Sequence, residues 1–354
     1  MDYNIHMGEV KMRKLALHKV GNKSLEEGVG IAKKLIQIDD RLNEVLLQYF
    51  INNFKMEDVY EFNHEHDLSM NEIYNFCKAI FDAPDDAFYG ASIEILKHLY
   101  SKSNHVKIKG GELYVAYFEN CVYEDEVIDA IGIFKAENKD TYLKLVLDSD
   151  EEWMLDFEQG TNTSRLDKGC IVFNKQMEEG YRVISVDLKS ADAKYWLNDF
   201  LSITMIVDDR FQTKAYLDLC KSFGRIGFKE EDKHERVDFL NRSKDYFENY
   251  THFEEEEFKS LIFEQNHNKA DHFEAHKQNF QEKIGIEDTS DNGFMISRPM
   301  VEKNKRSFKN NITLDTEMEI KVHSSRPQAD GFLERGYDEE KGMKYYKVYF
   351  NNEK

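Results

Sequence analysis

Residues 110–137 read GGELYVAYFENCVYEDEVIDAIGIFKAE. Two runs within this stretch, Glu112–Asn120 and Val127–Lys135, are rich in Val, Ile, Tyr and Phe, as strands are. Four further short runs of the same kind follow: Tyr142–Asp148, Trp153–Glu158, Cys170–Lys175 and Tyr181–Lys189. Turn-forming residues separate them at Asn138-Lys139-Asp140, Gly160-Thr161-Asn162 and Glu178-Glu179-Gly180. Short strands at this spacing predict an antiparallel meander.

The pattern upstream is helical. Met12–Val20 reads as a strand, with Leu15 and Leu17 alternating against polar neighbours, and Gly21-Asn22 ends it. Asp39–Phe54 then carries Leu42, Val45, Leu46 and Phe50 at helical spacing behind an Asp39/Asp40 cap. Ser69–Phe81 begins with Ser69 and Glu72 in a capping-box pattern. Asp85–Leu99 places Ile93, Leu96 and Leu99 on one face. Helices followed by strands is the α+β order.

Helical spacing returns from Ala193 and runs to Ile284, through Asp209–Gly224, Glu231–Tyr250, Thr251–Gln265 and Asn268–Ile284. Thr251 and Glu254 form a second capping-box pattern, and the acidic run Glu254–Glu257 suits a helix N-terminus. Beyond Gly293, alternation over Ile312–Val322 and the aromatic-rich Met343–Phe350 predict strands that close a small C-terminal sheet. The expected organisation is an N-terminal α+β domain over 1–192, a helical middle section over 193–292, and a basic segment with strands over 293–354.

The formal charge is −20. Residues 293–354 contain 12 Lys and Arg against 10 Asp and Glu, so −22 falls on the rest. An anionic chain does not hold phosphate backbones through its bulk field, and any such binding needs a local patch. Two candidates stand out. Arg298, Lys303, Lys305, Arg306 and Lys309 form the densest basic cluster. On the helix from Asp209, Arg210, Lys214, Lys221 and Arg225 fall within about 60° of one another at 100° per residue, opposite Phe211, Ala215, Leu219 and Phe223. Such a stripe can track a phosphate backbone, and it can equally be a solvated face.

Other chemistry is weakly signalled. His272 and His276 stand i, i+4 with His267 upstream, and His64 and His66 flank Glu65, yet the HExxH spacing is missing. No metal ligand and no cofactor is expected. Gly28-Val29-Gly30 is a lone GxG without a phosphate-loop ending, and no GxSxG occurs. Asp148, Asp150, Glu151 and Glu152 crowd what reads as a strand-to-strand turn. The four cysteines are widely spaced without a CxxC pair, which predicts free thiols in a reducing compartment. No run approaches the length of a membrane span and the first ten residues lack an apolar core, so a soluble cytoplasmic protein is expected.

The order of segments resembles the bacterial 37-kDa nucleoid-associated protein family. The resemblance is carried by KLALHKVGNK (14–23), the sheet passage 110–137, WLNDFLSITMIVDDRFQTKAYLDLCKSFGR (196–225), and the block from ITLDTEMEIKV (312–322) to MKYYKVYF (343–350). It implies a cytoplasmic, DNA-associated protein of the bacterial nucleoid without a catalytic centre. It assigns no DNA-contacting residues, so those named above rest on charge placement alone. The expected function is non-enzymatic, sequence-independent contact with the backbone of double-stranded DNA. The alternative is an acidic interaction module recruited to DNA by a DNA-processing enzyme. A homodimer is the default expectation for such proteins.

Overall fold

In the computed structural model the chain divides into two units, Met1–Ile206 and Val207–Lys354. The structure describes residues 10–54, 58–147, 152–187, 195–228, 233–264, 266–284, 293–308, 311–314, 316–321 and 333–352. The first unit contains β1 (Lys11–Val20), β2 (Val29–Gly30), α1 (Asp40–Ile51), β3 (Tyr60–Phe62), α2 (Glu72–Asp82), α3 (Pro84–Lys102), β4 (Gly111–Tyr123), β5 (Glu126–Ala136), β6 (Asp140–Leu147), β7 (Trp153–Gly160), β8 (Lys168–Phe173), β9 (Arg182–Asp187) and β10 (Ile203–Met205). Eight of these strands form one antiparallel sheet in the order β10-β3-β9-β8-β5-β4-β1-β2. The fold is α+β, as expected.

The hairpin of β4 and β5 sits at the sheet centre. Its register runs from Glu112 opposite Ala136 to Tyr123 opposite Glu126, with a bulge between Phe118 and Cys121. Glu124 and Asp125 make the two-residue turn with φ of 49° and 66°, the left-handed pair that lets tight hairpin twist match strand twist. Both faces of this sheet are covered. Leu113, Val115, Tyr117, Ile131 and Val172 meet α2, α3 and a π-helical turn at Tyr195–Leu201. Ala116, Phe118, Phe134, Ile171 and Phe173 meet α1, where Phe50 stacks on Phe134 at 4.1 Å. Burial on both sides explains why these strands read as nearly continuous apolar runs, such as the wholly buried β8.

The predicted meander is interrupted. Among the described residues β6 and β7 pair with each other alone, as a separate two-stranded ribbon, while β5 pairs directly with β8. The reason lies in the partners: β8 is buried along its whole length and fills the place beside β5, whereas β6 and β7 stay largely exposed. The lone Gly-Val-Gly supplies β2, a two-residue edge strand on β1. Helix starts are also refined. Asp39 caps α1 by accepting the Leu42 N–H at 2.7 Å. The α2 cap is Asn71, not Ser69: its side-chain oxygen accepts from Tyr74 N–H at 2.9 Å, and its amide reaches the carbonyls of Asn63, Leu201 and Ser202. Asn71 wins because one side chain satisfies a helix end and three loop carbonyls together.

The first unit extends past the expected boundary at 192. Trp196, Phe200 and Leu201 are buried in the core with α2 and α3, and β10 adds to the sheet beside β3.

The second unit contains α4 (Asp209–Ile226), α5 (Lys233–Asn249), β11 (His252–Phe253), α6 (Glu255–Phe263), α7 (His267–Ile284), β12 (Phe294–Met295), α8 (Arg298–Asn304), β13 (Asn311–Thr313), β14 (Glu319–Lys321), β15 (Leu333–Asp338) and β16 (Met343–Val348). Phe223, Phe247, Phe253, Phe258, Phe273 and Phe294 lie at its centre. Each large side chain buried this way contributes about 1.5–3 kcal/mol, which offsets the low intrinsic helix propensity of such an aromatic-rich segment. Residues 294–308 belong to this same core through Phe294, Ile296, Val301 and Phe308, so the expected break near 292 does not separate them from the helices. The acidic run opens α6, with Glu254 as the cap position; Thr251 instead precedes β11 and caps nothing. The C-terminal strands do not close one sheet. β13 pairs with β14 and β15 with β16, as two ribbons, because each run finds an antiparallel partner a few residues away. No helix among the described residues is long and apolar enough to cross a membrane.

Candidate nucleic-acid interface

Helix α4 is the organising element of the candidate surface. Asp208 caps it, accepting the Phe211 N–H at 2.8 Å. The helix packs against α5, α7 and α8, and Thr213, Leu217, Cys220 and Gly224 are buried along with Phe211, Leu219 and Phe223. Little of its circumference therefore faces water, and the cationic stripe is a narrow seam. Two hydrogen bonds guide the basic segment onto that seam. The Met295 N–H donates to Asp209 Oδ1 at 3.1 Å, and the Ser297 N–H donates to Thr213 Oγ1 at 3.0 Å.

The two cationic stretches meet further along. Lys221 Nζ donates to Asn304 Oδ1 and Ser307 Oγ, each at 3.2 Å, and stands 5.8 Å from the centre of the buried Phe308 ring. A cavity of about 250 Å³ opens here, lined by Lys221, Gly224, Arg225, Arg236, Leu240, Ser307 and Phe308. Arg225 is exposed, in the last turn of α4. Arg236 reaches the cavity from α5, and its Nε is buried without a hydrogen-bond partner. Neither arginine has an ion-pair partner among the described residues. Arg236 was not among the residues singled out from the sequence. The available signal was an arginine one turn before Leu240, on the same helical face as Leu240 and Phe247.

The remaining sequence candidates differ in their engagement. Arg298 clamps the end of α5: its guanidinium donates to the carbonyls of Phe247 at 3.2 Å, Glu248, and Tyr250 at 2.9 Å. A cation at a helix C-terminus satisfies carbonyls that lack intrahelical partners. Lys303 is exposed in the last turn of α8. Lys305 pairs with Glu302, and this bond holds the Glu302 carboxyl below its usual range. Lys221 also pairs with Asp218 at 2.6 Å. Lys214 is half-buried on α4. Arg306 lies in the single turn after α8, and its side chain, like the whole of Lys309, lies outside the described residues. Acidic neighbours thus offset part of the basic cluster. The Lys305–Glu302 pair is exposed, however, and such pairs are worth only about 0–1 kcal/mol, so the lysine is only weakly held by the carboxylate.

Among the described residues the histidines do not gather into a metal centre. His276 Nε2 lies 3.1 Å from Ser222 Oγ, the ring packs near Phe223 and Phe280, and burial lowers its pKa. Among the described residues no group of three or more His, Cys, Asp or Glu could hold an ion. Of the acidic turn, residues 148–151 lie outside the described residues. All four cysteines are free and buried; burial pushes the Cys121 and Cys220 thiols up to about 12, which keeps them unreactive.

A cluster in the first unit was also missed in the sequence. Lys135 and Lys168, in β5 and β8, are 0% and 2% exposed. Lys135 Nζ donates to Glu137 at 2.9 Å, to the Lys109 carbonyl at 2.6 Å and to Tyr195 Oη at 3.2 Å, while Lys168 Nζ pairs with Asp187 at 2.7 Å. Burial lowers the Lys135 pKa, and Glu137 acts against that shift. Through the Lys135–Tyr195 bond the cluster ties the π-helical turn to the sheet.

No curated protein matches the chain. The model of a protein family described as nucleoid-associated protein YejK matches residues 16–342, a span that takes in the sheet, the helical core and the cationic cavity. The chain belongs to the nucleoid-associated protein YejK family.

Proposed function

We propose that this protein associates with DNA in the nucleoid by gripping the phosphate backbone, without reading bases and without catalysis. Membership of a nucleoid-associated family supports the DNA association. The observation that carries the finer reading is the convergence of two cationic stretches, far apart in sequence, around one cavity on the second unit. Arg225, Arg236, Lys221, Lys303 and Lys305 are the assigned contacts, joined by Arg306 and Lys309 from the same basic segment. Lys214 is a lesser contact, and Arg298 serves mainly to hold α8 in place. Contacts of this type position a protein on DNA but carry no sequence information.

The test is binding of the whole chain to unrelated double-stranded DNAs across a range of salt. Lys305→Glu with Arg306→Glu, and separately Arg225→Glu, are expected to weaken binding to all sequences alike. Each lost phosphate contact should lower the slope of log K against log salt by about 0.9. Unchanged affinity and slope in both variants would overturn the assignment. The net charge of −20 favours a second reading, in which a DNA-processing enzyme recruits the protein through its acidic surface. That reading expects no binding by the protein alone and retention on DNA once the partner is added.

A further inference from the structure

The ribbon of β6 and β7 carries a feature that the cationic cavity does not explain. Its register sets Leu143 opposite Phe157, Leu145 opposite Leu155, and Leu147 opposite Trp153. Because side chains alternate along a strand, these six share one face. They are 71%, 64%, 68%, 67%, 53% and 67% exposed in that order. The other face is mixed, with Tyr142 opposite Glu158, Lys144 opposite Asp156 and Val146 opposite Met154. Water therefore meets a continuous apolar face on a ribbon that, among the described residues, joins no larger sheet. Isolated two-stranded ribbons are marginally stable at best, and exposed apolar patches of several hundred Å² mark interaction surfaces.

We propose that this face is covered by the same face of a second copy of the chain. Three observations select that occupant. The first is shape. A twofold axis parallel to the strands lays β6 of one copy over β7 of the other. Leu143 then faces Phe157, Leu145 faces Leu155, and Leu147 faces Trp153, so each β6 leucine meets a β7 leucine or a ring. An interface of this kind is isologous and closes at two copies. The second is area. Six large side chains with more than half their surface exposed offer on the order of 600 Å² per copy, so a pair buries about 1,200 Å², the lower bound for a specific interface. The third is charge. Among the described residues the face has no ionisable side chain, so two copies of a chain with net charge −20 meet there without like charges in contact. The same lack of cations disqualifies the face as a phosphate site.

The test is sedimentation of the full-length chain without DNA, so its outcome is independent of the DNA reading. The expected result is a concentration-dependent dimer that persists at high salt. Leu145→Lys with Leu155→Lys is expected to abolish it and leave the far-ultraviolet circular dichroism unchanged, because both residues lie outside the packed cores. A wild-type chain that stays monomeric at tens of micromolar overturns the proposal and leaves the face to a different partner. A folded variant that still dimerises also overturns it, by moving the interface elsewhere. Should the variant misfold, Trp153 provides a second readout in the natural chain. The other tryptophan, Trp196, is fully buried, so dissociation on dilution should shift the emission to the red through Trp153 alone. Dissociation with no spectral change would count against the proposal.

Discussion

At the scale of single residues, burial of ionisable groups sets the most measurable properties. An ammonium as deeply buried as that of Lys135 is tolerated only while its partners remain. Glu137→Leu would leave that charge without its carboxylate, and a loss of about 3–5 kcal/mol in urea unfolding is expected. Lys135→Met combined with Glu137→Leu should recover most of the loss, because neither charge then remains; a double variant as unstable as the single would refute this account. His18 illustrates the opposite case, a base kept neutral. It is 2% exposed, its Nδ1 accepts the Ala32 N–H at 3.2 Å, and its Nε2 therefore carries the proton toward Ser92 Oγ at 3.0 Å. Burial lowers its pKa from 6.5. The unfolded chain thus takes up a proton near pH 6.5 that the folded chain refuses, so stability rises with pH there and is lost as pH falls below 6.5. The loss from this residue is at most about 1.4 kcal/mol per pH unit. Unfolding at pH 7.5 and 5.5 should show a smaller difference in His18→Gln than in the natural chain, and equal differences would exclude His18 as a source.

At the scale of elements, the β4–β5 hairpin is well specified along its strands and poorly specified at its turn. Glu124 and Asp125 occupy left-handed backbone that Asn and Gly adopt with far less strain. Replacing the pair by Asn-Gly is expected to stabilise the protein by about 1 kcal/mol, read from the urea midpoint at constant slope. No gain would mean that the ion pair of Glu124 with Lys175 contributes as much as the turn conformation costs. Helix α4 shows how an element acquires a second role. Its wheel, read in isolation, has an apolar half and a cationic stripe. Packing by α5, α7 and α8 buries much of the remaining circumference, and the C-terminal half of the stripe, Lys221 and Arg225, lines a cavity. Arg298 contributes to the same result indirectly, since its three carbonyl contacts tie α8 to the end of α5.

At the scale of the whole molecule, the two proposed devices bear on each other. As a proposed phosphate site the cationic cavity has few cations, and acidic neighbours already engage Lys221 and Lys305. A dimer closed through the β6–β7 ribbon would carry two such cavities, and if both reach one polyanion the second contact forms at high effective concentration. The expectation is that Leu145→Lys with Leu155→Lys, though distant in sequence from the basic segment, weakens DNA retention while the salt slope per chain stays the same. The α+β class, the central hairpin, the helix starts with acidic caps and the family were all legible in the linear pattern, because periodicity, capping and segment order are local properties. The choice of β8 over β6 as neighbour to β5 was not, since both are short apolar strands and only competition for burial separates them. Nor was the union of Lys221 and Arg225 with Ser307 and Phe308, which requires residues some 80 positions apart to pack together. Local pattern determines what each segment becomes, while long-range packing alone decides which charges share a surface and which apolar face is left for a partner.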